Sequence, residues 1–190
     1  MSSVRLDKVA RVYPEGGGIH GFSCEITQGE CFALLGPSGC GKTTTLRSIA
    51  GLEMLDSGQI FFGERDVTQE PPETRKAAMV FQSYALFPHM NVYESVAFGL
   101  RAQKLDKSLI PARVRDSLAL VQLDGLDKRW VTDLSGGQQQ RVAVARALVG
   151  DPPILLADEP TGNLDSRTGG AVMDLLRELH RAGATICMVT

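Results

Sequence analysis

The alternation of hydrophobic and polar positions in the first third of the chain predicts short strands arranged around one helix. Residues 4–12 and 19–26 alternate as half-buried strands do, and a proline and three glycines between them predict a turn. Residues 31–35 (CFALL) form a short apolar strand, residues 44–50 continue as a helix, and residues 59–62 return to a strand. Because this opening is rich in hairpins, we expect a small antiparallel sheet beside a larger one.

The pattern changes to helix in the middle of the chain. Residues 76–81 (KAAMVF) predict a buried strand, after which residues 83–149 carry apolar positions at helical spacing. Asn91 is a suitable N-cap, and Glu94 three residues later completes the capping-box pattern. A further helix is predicted over residues 138–148, so the whole stretch indicates a helical lobe.

The last part of the chain returns to the strand pattern. Residues 154–157 (ILLA) form a continuous apolar run, as in parallel strands that are buried on both faces. One amphipathic helix follows, and residues 184–189 (ATICMV) predict a final buried strand. This order predicts one parallel α/β domain whose core, residues 1–82 and 150–190, is interrupted by the helical lobe at 83–149.

Composition narrows the classes of function without selecting one. A chain of 190 residues that is 43% hydrophobic and 22% charged is ordinary for one globular domain. The formal charge of −2 and an isoelectric point near 5.9 give no electrostatic reason to expect nucleic-acid binding. No apolar run is long enough to span a bilayer and the first residues lack a signal-peptide core, so we expect a cytosolic chain. The four cysteines lack metal-ligand spacing, which favours reduced thiols.

A phosphate-binding loop is indicated by residues 36–43, which read GPSGCGKT between a predicted strand and a predicted helix. Glycines allow backbone N–H groups to approach a phosphate closely, and the helix start adds its positive dipole end. Lys42 would reach the β- and γ-phosphates, and the Thr43 hydroxyl would bind Mg²⁺. The alternative is a glycine-rich turn without a ligand. The nucleotide-binding residues predicted here are Gly36, Pro37, Ser38, Gly39, Cys40, Gly41, Lys42, Thr43 and Thr44.

A second chemical signal is a pair of acids, Asp158 and Glu159, directly after the apolar run at 154–157. Burial of uncompensated carboxylates is costly, so we expect a cation to meet them. Asp158 would hold Mg²⁺ through its water shell, and Glu159 would orient or deprotonate an attacking water. The alternative is a strand-end turn with solvated acids.

The sequence LSGGQ at residues 134–138, taken with the phosphate-binding loop, resembles the signature of ABC (ATP-binding cassette) ATPases. The resemblance covers nearly the whole chain. It implies a P-loop NTPase fold with a RecA-like parallel core, a small antiparallel subdomain and an inserted helical subdomain. It also implies that the signature of one copy grips the γ-phosphate held by a second copy, with two ATP molecules between them. The signature residues are Leu134, Ser135, Gly136, Gly137 and Gln138.

The same resemblance assigns roles to three further positions. Gln82 matches the glutamine that contacts Mg²⁺ and water, and residues 82–89, called here the Q-loop segment, match the site that receives a membrane permease subunit. Tyr13 lies where the family stacks an aromatic ring on adenine, although a tyrosine that only packs in its own turn is the alternative. Asp165 matches the D-loop, which crosses the dimer interface.

The type of transporter is less clearly marked. Residues 80–101 resemble importer ATPases for sugars, polyamines and ions, whereas residues 157–190 resemble ATPases of lipoprotein-release and macrolide-efflux systems. We expect an importer, because the Q-loop segment contacts the membrane partner, and the exporter is the alternative. The importer resemblance implies ATP and Mg²⁺ as ligands, a peripheral place on the inner face of the cell membrane and a solute-binding protein as an indirect partner.

Two other classes of protein contain a phosphate-binding loop. A soluble ABC ATPase that acts on nucleic acid usually has a basic or coiled-coil insertion, which this sequence lacks, and LSGGQ has no role in a small-molecule kinase. In the family a histidine follows the position of Thr190, where this sequence ends. We therefore expect a C-terminally incomplete ABC domain that binds ATP in part and hydrolyses it poorly.

Overall fold

The computed structural model describes residues 3–190, which divide into two compact units. The first contains residues up to 79, residues 153–159 and residues 178–190, and the second contains residues 80–152 and 160–177. Residues 160–177 therefore group with the helical part of the chain, whereas the sequence-based division placed them with the core.

The first unit contains the predicted small antiparallel sheet. Its strands are β1 (Val4–Val12), β2 (Gly18–Ile26), β4 (Ser57–Phe62) and β5 (Arg65–Asp66), in the order β2-β1-β4-β5. β1 pairs antiparallel with both β2 and β4, and its inward side chains are fully buried. Two hairpins, β1–β2 and β4–β5, are joined through the pairing of β1 with the sequence-distant β4, and the predicted small antiparallel sheet is confirmed.

A second sheet carries the predicted phosphate-binding loop. Its strands are β3 (Cys31–Leu34), β6 (Ala77–Val80), β7 (Ile154–Asp158) and β8 (Thr185–Val189), in the order β3-β8-β7-β6. β8 pairs parallel with β3 and β7, and every residue of β7 and β8 is buried. Helix α1 (Lys42–Ala50) follows β3 through the loop. The parallel α/β core predicted from the apolar runs is confirmed.

The second unit is built mainly from helices. They are α2 (Val92–Ala102), α3 (Ile110–Leu120) and α4 (Gly136–Leu148), and α4 contacts the other two. Most residues of helix α5 (Ser166–Arg181) also belong to this unit. Along these helices buried residues alternate with more exposed ones, and for that reason their apolar residues recur at helical spacing.

The start of α2 has the capping box that the sequence predicted. The Glu94 backbone N–H donates to Asn91 Oδ1 at 2.8 Å, and the Asn91 N–H donates to Glu94 Oε2 at 3.1 Å. Two N–H groups that the helix itself cannot satisfy are thereby paired.

The cysteines of the described chain are free thiols. Three lie in strands, and burial raises the pKa of Cys187 to about 12. A thiol with so high a pKa is rarely a thiolate at neutral pH, the form that acts as nucleophile or metal ligand. Among the helices of residues 3–190, none has the length and apolar character needed to cross a membrane.

Candidate nucleotide-binding site

The loop between β3 and α1 exposes the start of α1. Gly41 is the N-cap of this helix, with φ 92° and no side-chain cap. A Cβ at this position would lie 2.3 Å from the carbonyl oxygen of Gly18, so only glycine fits. Because the first N–H groups of a helix lack intrahelical partners, they remain available to an external anion here.

The Lys42 side chain folds back over this loop. Its Nζ donates to the carbonyl oxygen of Gly36 at 2.6 Å and to that of Pro37 at 3.0 Å. The ammonium therefore lies where the loop N–H groups would hold a phosphate, and it can exchange a carbonyl partner for a phosphate oxygen.

A cleft of about 330 Å³ opens beside the loop, within the size range of ligand sites. It brings Tyr13 to the phosphate-binding loop, and the Arg11 guanidinium lies 5.4 Å from the centre of the Tyr13 ring. The glycine turn after Tyr13 also lines the cleft; the sequence marked it only as a turn. The lining residues are Tyr13, Gly16, Gly17, Gly18, Ser38, Gly39, Gly41, Lys42, Thr43, Thr44 and Glu159.

Thr43 and Asp158 form the candidate magnesium position. The Thr43 hydroxyl donates to Asp158 Oδ1 at 3.0 Å, and Asp158 is only 4% exposed. A hydroxyl and a carboxylate oxygen are donors that Mg²⁺ prefers, and this ion commonly takes its other ligands from water and phosphates. No group of three or more histidine, cysteine, aspartate and glutamate side chains that could hold a metal ion occurs among residues 3–190.

Glu159 adopts an uncommon backbone conformation at the edge of the cleft. Its φ is 43°, in the left-handed region, and its N–H donates to the carbonyl oxygen of Val189 at 3.1 Å. Left-handed residues with a Cβ occur where surrounding contacts impose them, often at functional sites. The parallel partner strand β8 thus fixes the direction in which this acid leaves β7.

Not every residue predicted for the loop lines the cleft. Gly36 and Pro37 contribute through their carbonyl groups, which bind Lys42. Cys40 lines a neighbouring groove of about 480 Å³ together with Leu34 and Leu35. Cys40 belongs to the loop by position, but its thiol lies apart from the cleft lining.

The signature lies at the start of α4 in the second unit. Ser135 Oγ accepts from the Gln138 N–H at 3.3 Å, and the Ser135 N–H donates to Gln138 Oε1 at 3.0 Å. This capping box makes the helix begin at Gly136, two residues before the predicted start at 138. Leu134, directly before this cap, is buried, and so is Gly137 in the first turn of the helix.

Close packing explains one signature glycine. A Cβ on Gly137 would lie 2.1 Å from Cγ2 of Thr168 on α5. Helix α4 can therefore approach α5 only where it has no side chain, a constraint that the sequence did not reveal.

Asp165 caps the start of α5. Its carboxylate accepts from the Thr168 N–H at 3.0 Å, the Thr168 hydroxyl at 2.7 Å and the Arg167 N–H at 3.1 Å. The hydrogen bonds from Thr168 hold the pKa of Asp165 below its usual value. Within its own chain this acid has a clear structural role; its predicted place in a dimer interface stays a prediction.

Two residues of α4 that the sequence did not mark are prominent in the second unit. Gln140 is fully buried, and its Nε2 donates to the carbonyl oxygen of Pro160 at 2.7 Å. Arg146 donates to the carbonyl groups of Tyr84 and Ala85 in the Q-loop segment. In the same segment the Gln82 carbonyl accepts from Asn163 Nδ2 at 2.8 Å.

Comparison with known proteins decides the family. A family described as "ABC transporter" matches residues 19–162, a span that includes the phosphate-binding loop, the signature and both strand-end acids. The chain belongs to the ABC transporter family. The resemblance and the fold class inferred from the sequence are confirmed. Tyr13 and Asp165 fall outside the matched span.

Curated relatives are ATP-binding proteins of importers. The chain is 49% identical over 190 residues to the sulfate/thiosulfate import ATP-binding protein CysA 2 of Agrobacterium fabrum, and it is 48% identical over 188 residues to the spermidine/putrescine import ATP-binding protein PotA of Trichormus variabilis. Each alignment covers 98% of this chain but 56% and 49% of the relative. The chain thus spans about half the length of these proteins.

Solved structures of similar fold include the ABC transporter cassette MJ0796 in a dimeric form. The TM-score is 0.86 and the identity 33%, with 98% of this chain and 87% of that chain covered. A second dimeric structure of MJ0796, with the same scores, is described as a post-hydrolysis state bound to ADP and phosphate. The fold described above is therefore one that binds adenine nucleotide in a relative.

Proposed function

We propose that this chain is the ATP-binding and ATP-hydrolysing part of an ABC importer. The observation that carries the proposal is one cleft in which Lys42, Tyr13 and Glu159 meet around a glycine-lined helix start. The bond between Thr43 and Asp158 beside that cleft supplies a second, independent feature of a nucleotide site.

Each residue of the cleft has a physical role in this proposal. The loop N–H groups and Lys42 bind the β- and γ-phosphates, and Tyr13 stacks on the adenine ring. Thr43 and Asp158 are the residues that would hold Mg²⁺, which would neutralise charge on the phosphates. Glu159 accepts a proton from the attacking water; the water oxygen bonds to the γ-phosphorus as the bond to the β–γ bridging oxygen breaks, which leaves ADP and phosphate.

The signature completes the site in a pair of molecules. Ser135, Gly136 and Gly137 form the start of helix α4, and the positive dipole end and first N–H groups of a helix favour an anion. We propose that it grips the γ-phosphate held by a second copy, so that ATP closes a head-to-tail dimer and hydrolysis reopens it. The dimeric MJ0796 structures support this assembly.

Import is the proposed direction of transport. The relatives at 48–49% identity are named as import proteins, one for sulfate and thiosulfate and one for spermidine and putrescine. These solutes have opposite charges, so sequence identity to this chain does not indicate which solute is transported. We propose permease subunits bound at the Q-loop segment, a solute-binding protein as an indirect partner, and a place on the inner face of the cell membrane.

Dimerisation of the Glu159→Gln variant tests the shared site. Without the base, bound ATP persists, so we expect the variant to become dimeric in saturating Mg-ATP and to stay monomeric in ADP, measured by light scattering. A Lys42→Ala, Glu159→Gln double variant is the control and should remain monomeric. A Glu159→Gln protein that binds Mg-ATP but never dimerises would contradict the proposal.

Co-purification tests the transporter assignment. Mild detergent extraction of cells that express the tagged protein should recover integral membrane subunits, and their yield should fall when residues of the Q-loop segment are replaced. Recovery of ribosomal RNA or DNA in place of membrane subunits would favour a nucleic-acid-linked ABC ATPase.

A further inference from the structure

Two consecutive residues of the Q-loop segment have left-handed backbone conformations. Tyr84 has φ 64° and Ala85 has φ 47°. Residues with a Cβ rarely adopt the left-handed backbone conformation. Two such residues in succession need surrounding contacts that hold them in this conformation. The local turn supplies only short-range bonds, from the Tyr84 N–H to Phe81 at 3.0 Å and from the Ala85 N–H to Ser83 at 2.7 Å.

The longer-range contacts come from one arginine on α4. Arg146 Nη2 donates to the Tyr84 carbonyl oxygen at 3.0 Å, and Nη1 donates to that of Ala85. The planar guanidinium presents two donors in a fixed fork, which here bind two successive carbonyl groups. Burial lowers the pKa of Arg146, but a guanidinium stays protonated at neutral pH.

The same segment also contacts the start of α4 and the loop before α5. The Tyr84 hydroxyl donates to the Asn163 carbonyl oxygen at 3.4 Å, and it lies 3.2 Å from the place where a Cβ of Gly136 would be. Asn163 Nδ2 in turn donates to the Gln82 carbonyl. The Q-loop segment is therefore bonded at two backbone carbonyls to the helix that carries the signature and at a third to the loop before α5.

We propose that Arg146 is a positioning residue that holds the Q-loop segment in its left-handed conformation and makes it move with helix α4. This inference rests on the proposed function, because it is the proposed function that has the Q-loop segment bind a membrane subunit and the start of α4 bind ATP. Gly136 and Arg146 lie near opposite ends of one helix, so a displacement of the signature end is carried to residues 84 and 85.

The test measures hydrogen exchange in the Arg146→Lys variant of the full chain. A single ammonium cannot reproduce the two-pronged bond, so we expect amides of residues 82–89 to exchange at least tenfold faster, while exchange in α1 and the Kd for Mg-ATP stay within twofold of wild type. Arg115→Lys is the matched control, since Arg115 is a 76% exposed arginine on α3, and it should change none of these.

A suppressor separates positioning from general stability. Glycine adopts positive φ without steric cost, so Ala85→Gly should restore much of the lost protection in the Arg146→Lys background. Unchanged exchange at 82–89 in Arg146→Lys would overturn the proposal. Faster exchange spread over the whole second unit, with no rescue by Ala85→Gly, would overturn it as well.

A second readout concerns coupling. In the Glu159→Gln background, saturating Mg-ATP should slow exchange at residues 82–89, and Arg146→Lys should abolish this change without altering the Kd for Mg-ATP. Retention of the ATP-dependent change in Arg146→Lys would contradict the coupling role. If the parent protein fails to dimerise, the proposed function fails, while the basal exchange and the suppressor still decide what Arg146 does.

Discussion

Helices α1 and α4 both have glycine at or next to their first residue, but their first turns are arranged differently. At α1, Gly41 has a left-handed backbone and no side chain caps the helix, so the N–H groups face the cleft. At α4, Ser135 and Gln138 cap each other, which satisfies part of the helix start from within the chain. The first helix start has its own lysine and can bind a phosphate alone, whereas the second has no such lysine and suits a phosphate held by another molecule.

The glycines at the two helix starts are also required for different physical reasons. Gly41 is required by its left-handed φ and by the nearby carbonyl of Gly18, both of which shape the phosphate-binding loop. Gly137 is required by the packing of α4 against Thr168. A glycine at a helix start can thus be required for backbone conformation in one helix and for close packing in another. Substitution of each glycine by alanine distinguishes these two requirements.

Replacing Gly41 by alanine should have the largest effect. The new Cβ would meet Gly18 and would strain a left-handed backbone, so we expect roughly a hundredfold weaker ATP binding and a loss of about 3 kcal/mol in unfolding free energy. Isothermal titration and chemical denaturation measure both. Gly63→Ala is the matched control, because Gly63 has φ 59° with no atom near the added Cβ; it should reduce stability only and leave ATP affinity intact.

Replacing Gly137 by alanine should destabilise the protein without weakening ATP binding at the cleft. Overlap with the Thr168 methyl group should cost about 2 kcal/mol of unfolding free energy. Adding Thr168→Ser removes that methyl group and should restore most of the loss in thermal denaturation. Equal stability of Gly137→Ala with and without Thr168→Ser would show that packing is not the reason for this glycine.

Replacing Thr43 by valine should separate the contribution of the metal to ATP affinity from that of the phosphates. The variant loses the hydroxyl that donates to Asp158, so we expect the Kd for Mg-ATP to rise about tenfold. The Kd for ATP in EDTA should rise far less. Thr45→Val is the control on the same helix, since the Thr45 hydroxyl bonds only to the Gly41 carbonyl; a similar loss there would point to helix stability instead.

Replacing Ser135 by alanine should have the smallest effect on the isolated chain. Loss of the cap should cost about 1 kcal/mol, and the same is expected for Asn91→Ala in the other capping box. Only Ser135→Ala should also weaken the ATP-dependent dimerisation of Glu159→Gln, measured by light scattering as a function of protein concentration. Equal dimerisation in the two variants would remove Ser135 from the shared site.

Local sequence patterns predicted the elements well for a physical reason. Residues 154–157 of β7 and 186–189 of β8 are apolar because both faces of those strands are buried, and the capping box at Asn91 and Glu94 is closed by residues three apart. The bounds were less accurate at α4, which begins at Gly136, since the side-chain cap that starts it lies inside a stretch expected to be a loop.

The sequence by itself determined the family, the fold class and the residue types of the phosphate-binding loop, because those depend on short motifs with fixed spacing. The sequence also assigned Tyr13, Thr43 and Asp158 to the nucleotide site, and the structure shows Tyr13 lining the cleft and Thr43 bonded to Asp158 across 115 positions. Only the tertiary structure brought Arg146 to the carbonyl groups of a segment 61 residues earlier. Contacts between residues so distant in the chain depend on how strands and helices pack. A backbone carbonyl is present in every residue, so the sequence does not show which carbonyl groups a given side chain will bind.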